Sequence, residues 1–133
     1  MAWRYLDLPD YLLIAETVLD IPAEDLARAG RLELADSALH APAAEFGGVE
    51  FYPDLARKAA VLASRLISNH PLPDGNKRVG YLCAIEFVAR NGGTWANPPD
   101  DPEGDETVAI IEGVAAGAVD EDELTTWIAE RLK

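Results

Sequence analysis

The chain has 133 residues, 49% of them apolar and 26% charged, which bounds it to one globular domain, residues 1–133, with a single core. Its net charge of −13 argues against direct nucleic-acid binding, which needs a basic surface, and makes the adjacent pair Lys77-Arg78 stand out. A single cysteine excludes a disulfide framework, no apolar run reaches about 18 residues, and the N-terminus lacks a signal-peptide pattern; the expectation is a cytoplasmic chain that does not enter a membrane.

Asp7, followed by Leu8-Pro9-Asp10, reads as a capped helix start with proline in the first turn. That helix carries Leu8, Tyr11, Leu12, Ala15, Val18 and Leu19 on one face. Leu13, Ile14 and Ile21 fall off it, so either both sides are covered or an apolar groove is exposed there. Asp20-Ile21-Pro22 opens a short second helix that Gly30 stops, and Arg31 to His40 reads as a third with Leu32, Ala35, Ser37 and Leu39 inward, ended by Pro42. His40 reads as a surface residue at a helix end. In Phe46-Gly47-Gly48-Val49-Glu50-Phe51-Tyr52, a Gly-Gly pair between short β-prone flanks signals a hairpin, either filler on the helices or a flap that pairs with a peptide strand.

Asp54 caps the next helix, apolar at Leu55, Ala59, Leu62 and Leu66, with Arg57, Lys58 and Arg65 on its other faces and an end near Asn69. Residues 79–89 are apolar at ten of eleven positions, counting Gly80, which reads as a central helix buried on most sides; Asn91, Gly92 and Gly93 stop it. Residues 92–106 read as a solvated acidic loop, and Thr107 to Ala116 as a helix with Val108, Ile111, Val114 and Ala115 inward. Asp120-Glu121-Asp122-Glu123 caps a last amphipathic helix bearing Leu124, Trp127, Ile128 and Leu132. The sum is an all-α domain of six to seven helices with no sheet beyond the hairpin.

Between the two apolar helices lies the chemistry. Histidine is the residue type in this loop whose ordinary pKa lies near neutrality, so His70 is the natural general base. Asp74 is a hard oxygen ligand for Mg²⁺, Gly75 permits close backbone approach, and Asn76 can orient a phosphate oxygen or a neighbouring turn. Lys77 and Arg78 supply charge for a polyphosphate at a helix N-terminus, where backbone N–H groups collect. Base, metal ligand and anion site are the parts of a phosphoryl-type transfer.

His70-Pro71-Leu72-Pro73-Asp74-Gly75-Asn76-Lys77-Arg78 resembles the signature of the Fic/Doc family, H-P-F-x-D/E-G-N-G/K-R. The match is at His70, Pro71, Asp74, Gly75, Asn76 and Arg78, with Lys77 in the variable position. The chain length, the 46–52 segment, the helix before the motif and the Asn91-Gly92 ending resemble the small Doc (death-on-curing) branch. Three positions depart from the wider pattern. Leu72 replaces a phenylalanine that anchors the loop in the core, Lys77 replaces the second glycine, and Tyr81 stands where adenylyl-transferring members carry a second arginine. The resemblance implies a Fic-fold bundle in which His70, Asp74 and Arg78 are catalytic. Gly75, Asn76, Lys77 and Arg78 would bind nucleotide, Asp74 would hold Mg²⁺, and the flap at Phe46, Gly47, Gly48 and Val49 would bind the target. It further implies a toxin that moves phosphate from ATP to a hydroxyl of a protein, elongation factor Tu, and is neutralised by a cognate antitoxin. AMP transfer is the enzymatic alternative; a silent partner-binding module is the alternative from another class. A self-inhibiting pattern is approached at Thr126 to Glu130, which reads instead as ordinary amphipathic helix.

Overall fold

A computed structural model describes residues 2–96 and 104–132. It is all-α, with seven α-helices and one two-stranded hairpin among the described residues. The helices are α1 (Leu8–Leu19), α2 (Ala23–Ala29), α3 (Leu32–His40), α4 (Leu55–Asn69), α5 (Asn76–Arg90), α6 (Asp105–Ala115) and α7 (Glu121–Ala129). The hairpin, β1 (Glu45–Phe46) and β2 (Val49–Glu50), follows a 3₁₀ turn over Ala41–Ala43 that contains Pro42. None of the described helices is long and apolar enough to cross a membrane.

The N-terminal end of α1 is fixed by a reciprocal capping box. The Asp10 N–H donates to the Asp7 carboxylate at 2.9 Å, and the Asp7 N–H donates to that of Asp10 at 3.0 Å. Arg90 at the far end of α5 donates to Asp10 at 2.9 Å, which ties the two helices together. That hydrogen bond, with those from Asp7, holds the Asp10 carboxyl below its ordinary range against the opposing effect of burial.

The packing centre is the α4–α5 pair. Gly80 lets them approach: a Cβ there would lie 2.8 Å from Cγ1 of Ile67. Residues 79–89 do form most of α5, but that helix is not enclosed. Val79, Cys83, Ala84, Phe87 and Val88 are buried, whereas Leu82, Ile85 and Glu86 are half-exposed. The enclosed helix is α4, where six consecutive residues, Lys58 to Ala63, are buried beneath α3, α5, α6 and α7. Burial pushes the Cys83 thiol up to about 12.

Several faces differ from expectation. Ser37 is exposed and Ala38 is buried, because α3 presents Ala35, Ala38 and Leu39 to the core. Residues 97–103 of the 92–106 loop lie outside the described residues, and Asp105 and Glu106 already belong to α6. Of its four expected inward residues, Ile111 and Val114 are buried, while Val108 and Ala115 face solvent. Leu13 is 61% exposed, so the outer side of α1 is not covered. Beside it a cleft of about 380 Å³ runs between Leu13, Ile14 and Val18 of α1 and Leu82 and Ile85 of α5. His40 lies exposed at the end of α3, its Nδ1 2.8 Å from the Asp36 carbonyl oxygen.

Lys58, expected on an outer face, is fully buried. Its ammonium donates to the Glu50 carboxylate and the Pro42 carbonyl at 2.9 Å and to the Tyr5 hydroxyl at 3.0 Å, and lies 4.9 Å from the Trp3 ring centre. Burial alone would lower its pKa, but the hydrogen bonds it donates to Glu50 and Tyr5 outweigh it and the pKa rises. Arg131 is also buried, stacked 3.7 Å over the Trp127 ring and bonded to Glu106 at 2.6 Å.

Candidate active site

The loop between α4 and α5 is built from two kinds of residue. Pro71, Leu72 and Asn76 are buried and hold it in place. Leu72 is 1% exposed, so leucine does anchor the loop in the core. The Pro71 carbonyl accepts from the Arg31 N–H at 2.8 Å, clamping the loop to the α2–α3 junction. The Asn76 side chain closes the turn from inside. Its Oδ1 accepts from the Leu72 N–H at 3.0 Å, and its Nδ2 donates to the Leu72 carbonyl at 2.8 Å. Of the two roles open to Asn76, orienting a turn is the one its geometry performs, with both ends of the amide engaged.

Gly75 precedes α5 with φ 84°, and a Cβ there would fall 2.5 Å from Cδ2 of Leu19. Glycine is needed twice, for its conformation and for the approach of α1. Gly75 is followed directly by the N-terminus of α5, where helix amides without intrahelical partners favour anions.

The remaining loop residues point outward. His70, Asp74, Lys77 and Arg78 are all exposed. No side-chain hydrogen bond or ion pair joins His70, Asp74 or Arg78 to any described residue. His70 ends α4 in the left-handed conformation, φ 52° and ψ 54°, which is unfavourable for a residue with a Cβ. A strained, exposed, unpartnered histidine at a helix end has no evident structural task.

Residues 5–88, well over half the chain, match a model of the Fic/DOC family. The chain belongs to the Fic/DOC family. The protein named "Toxin Doc" of Mycolicibacterium smegmatis is 38% identical over 94 residues, covering 67% of this chain and 65% of that protein, so the chain spans just under two thirds of its relative's length. The family match takes in α1 to most of α5 and the whole loop, and ends before α6 and α7.

Lys77, Arg78 and Tyr81 line the side of α5 that faces α6. Lys77 reaches across to α6 and donates to Glu112 at 3.2 Å. Tyr81 carries no charge and packs edge-on against Trp95, ring centres 5.7 Å apart. Together Lys77, Arg78 and Tyr81 form one wall of a cleft of about 400 Å³ whose other wall is α6.

The flap segment does not pack as filler. Gly47 and Gly48 have φ 59° and 81°, the pair of positive angles that a two-residue hairpin turn requires. Glu45 pairs with Glu50, and Phe46 with Val49. Phe46 is 80% exposed and Val49 69%, with Phe51 beside them also exposed. Like charges facing across a ladder repel, and the Lys58 ammonium against Glu50 offsets that repulsion. The Tyr52 hydroxyl accepts from Arg65 at 3.3 Å, and Arg65 also bonds Glu121 at 2.8 Å. Arg65 lies five residues before His70 on α4, about 7 Å along the axis, so the exit of the hairpin is held toward the loop end of that helix. Lys58 and Arg131 were the residues that sequence patterning missed. The available signal for Lys58 was its place among Ala59, Ala60 and Leu62, where a cation breaks an otherwise apolar face.

Proposed function

We propose that this chain is the toxin of a toxin–antitoxin pair and that it transfers the γ-phosphate of ATP to a Ser/Thr hydroxyl of a protein, by resemblance elongation factor Tu, blocking translation in the cytoplasm. The observation that carries the reading is the division of labour in the loop: Pro71, Leu72 and Asn76, which hold its shape, are buried and bonded, whereas His70, Asp74, Lys77 and Arg78, which carry transfer chemistry, are exposed and, Lys77 apart, unpaired. A purely structural connection would have no use for the second set.

In this mechanism His70 accepts the proton of the target hydroxyl as its oxygen attacks the γ-phosphorus. The bond from that phosphorus to the β–γ bridging oxygen breaks, and ADP leaves. Arg78, Lys77 and the first amides of α5 hold the phosphates in line. The Asp74 carboxylate, exposed and unengaged, fits a Mg²⁺ ion that takes its other ligands from phosphates and water. Bound there, the ion would offset phosphate charge. The hairpin, with Phe46 and Val49 outward, aligns the target segment by strand addition. The name of the M. smegmatis relative supports the toxin assignment. The apolar cleft beside Leu13 and Ile14 is the surface proposed for the antitoxin.

Phosphate transfer is favoured over AMP transfer by two side chains. Lys77 occupies the position of a glycine, and Tyr81 supplies no cation for terminal phosphates. The test is label transfer in a cell extract. Label from γ-³²P-ATP should reach the target and label from α-³²P-ATP should not, with Lys77→Gly abolishing the signal. Label from α-³²P-ATP on the target would overturn the kinase reading in favour of AMP transfer; no label from either would leave a partner-binding module.

A further inference from the structure

A two-stranded hairpin is marginal in water unless an apolar face packs on something, and here Phe46, Val49 and Phe51 all face solvent. Its shape is closed from within, by the ladder and by the Phe51 N–H donating to the Ala44 carbonyl at 3.0 Å. Its place on the body is set by Lys58. An ammonium has three N–H donors, and three oxygens receive them here. The Pro42 carbonyl stands just before β1, the Glu50 carboxylate stands in β2, and the Tyr5 hydroxyl belongs to the segment ahead of α1. One buried cation thus clasps the chain as it enters the hairpin and as it leaves. The next tie, from Arg65 to the Tyr52 hydroxyl, is longer at 3.3 Å and lies beyond the strands.

We propose that Lys58 is a positioning residue for the protein substrate: through Glu50 it holds the hairpin where an added target strand meets His70. The proposal rests on the reading of the hairpin as the target-binding element and deepens it. Lys58 is fully buried and touches neither target nor nucleotide itself. A buried ion pair is a weak source of stability, because desolvation offsets the attraction. Three directed bonds do what apolar packing of the same volume does not: they fix the direction in which the hairpin leaves the body. Lys58 lies on α4 and His70 ends that helix, so the clasp refers the hairpin to the same rigid element as the base.

Label transfer from γ-³²P-ATP into serial dilutions of a cell extract tests it on the full chain. Initial rates give an apparent KM for the protein substrate, and rates at varied ATP give one for the nucleotide. Without the clasp the hairpin samples other positions; docked a tenth of the time, it would raise the protein KM about tenfold. Lys58→Met should show that rise, with kcat and the ATP KM within about twofold of wild type. A merely structural role reads differently: unfolding removes active molecules, so the maximal rate falls while both KM values stay. Glu50→Gln keeps the shape of a side chain that is 34% exposed, and so covers the case in which Lys58→Met does not fold. It should raise the protein KM about threefold, and the double variant should be no worse than Lys58→Met, since one clasp is lost only once. An unchanged protein KM in the folded variants, a fall in maximal rate alone, or an equal rise in the ATP KM overturns the proposal and leaves the transfer reading standing. Wild type that labels no protein in the extract overturns both.

Discussion

Asn76→Ala separates a residue that shapes the loop from one that binds phosphate. In the folded chain the amide satisfies both backbone groups of Leu72, itself 1% exposed, at 3.0 and 2.8 Å. Alanine leaves a buried N–H and a buried C=O without partners, and each orphaned group costs about 1–3 kcal/mol. Partial access of water to the vacated space reduces the sum, so the expected loss is about 3 kcal/mol. With an unfolding entropy of about 0.28 kcal/mol/K for 133 residues, the melting temperature should fall by about 10 °C. Thermal unfolding followed by circular dichroism reads this directly, and titration with MgATP well below the transition reads the nucleotide site separately. A melting temperature within about 2 °C of wild type, combined with loss of ATP binding, would refute the reasoning and make Asn76 a phosphate ligand.

Further perturbations probe the other joints. His70→Gly should abolish transfer by about 10²–10⁴-fold while raising stability by about 1 kcal/mol, because glycine accepts the left-handed helix end without penalty; chemical denaturation showing destabilisation would contradict it. Lys58→Met should cost about 2–3 kcal/mol, since Glu50 can turn to water but the Pro42 carbonyl cannot, and should speed hydrogen exchange over residues 45–50; unchanged exchange there would show that the clamp is idle. The Asp10 carboxyl is held low by Arg90, so its contribution is present above the unfolded pKa near 4 and is lost as pH falls through the folded value. The melting-temperature gap between wild type and Asp10→Asn should therefore narrow as the pH falls below about 4, and a constant gap would count against this linkage.

Local signals carried far in this chain. Asp7, Pro22, Gly30, Asn91 and Asp120 all mark helix ends by capping or conformation, which short stretches encode. The Gly47-Gly48 turn was legible for the same reason, and so was the loop at the head of α5. What was not legible depends on neighbours distant in sequence. Lys58 is buried only because Trp3, Tyr5, Pro42 and Glu50 converge on it. Val108 and Leu82 are apolar at helical spacing yet line open clefts, because periodicity defines a face and says nothing about whether another element covers it. The role of Asn76 stayed open between turn and phosphate, because an amide serves either and only the position of the Leu72 backbone decides.

The helix α4 has a consequence for how such a chain tolerates change in length. Lys58, which grips the hairpin, and His70, which ends the helix, stand twelve residues apart on one rigid element, about 18 Å. One inserted residue between them would turn the two ends by about 100° relative to each other and swing the hairpin away from the loop. Residues 47–48 or 117–119 could lengthen with local effect, but α4 acts as a ruler whose graduation is a single residue. Length changes in this stretch should be the ones the fold survives least well, even where every substituted side chain is acceptable.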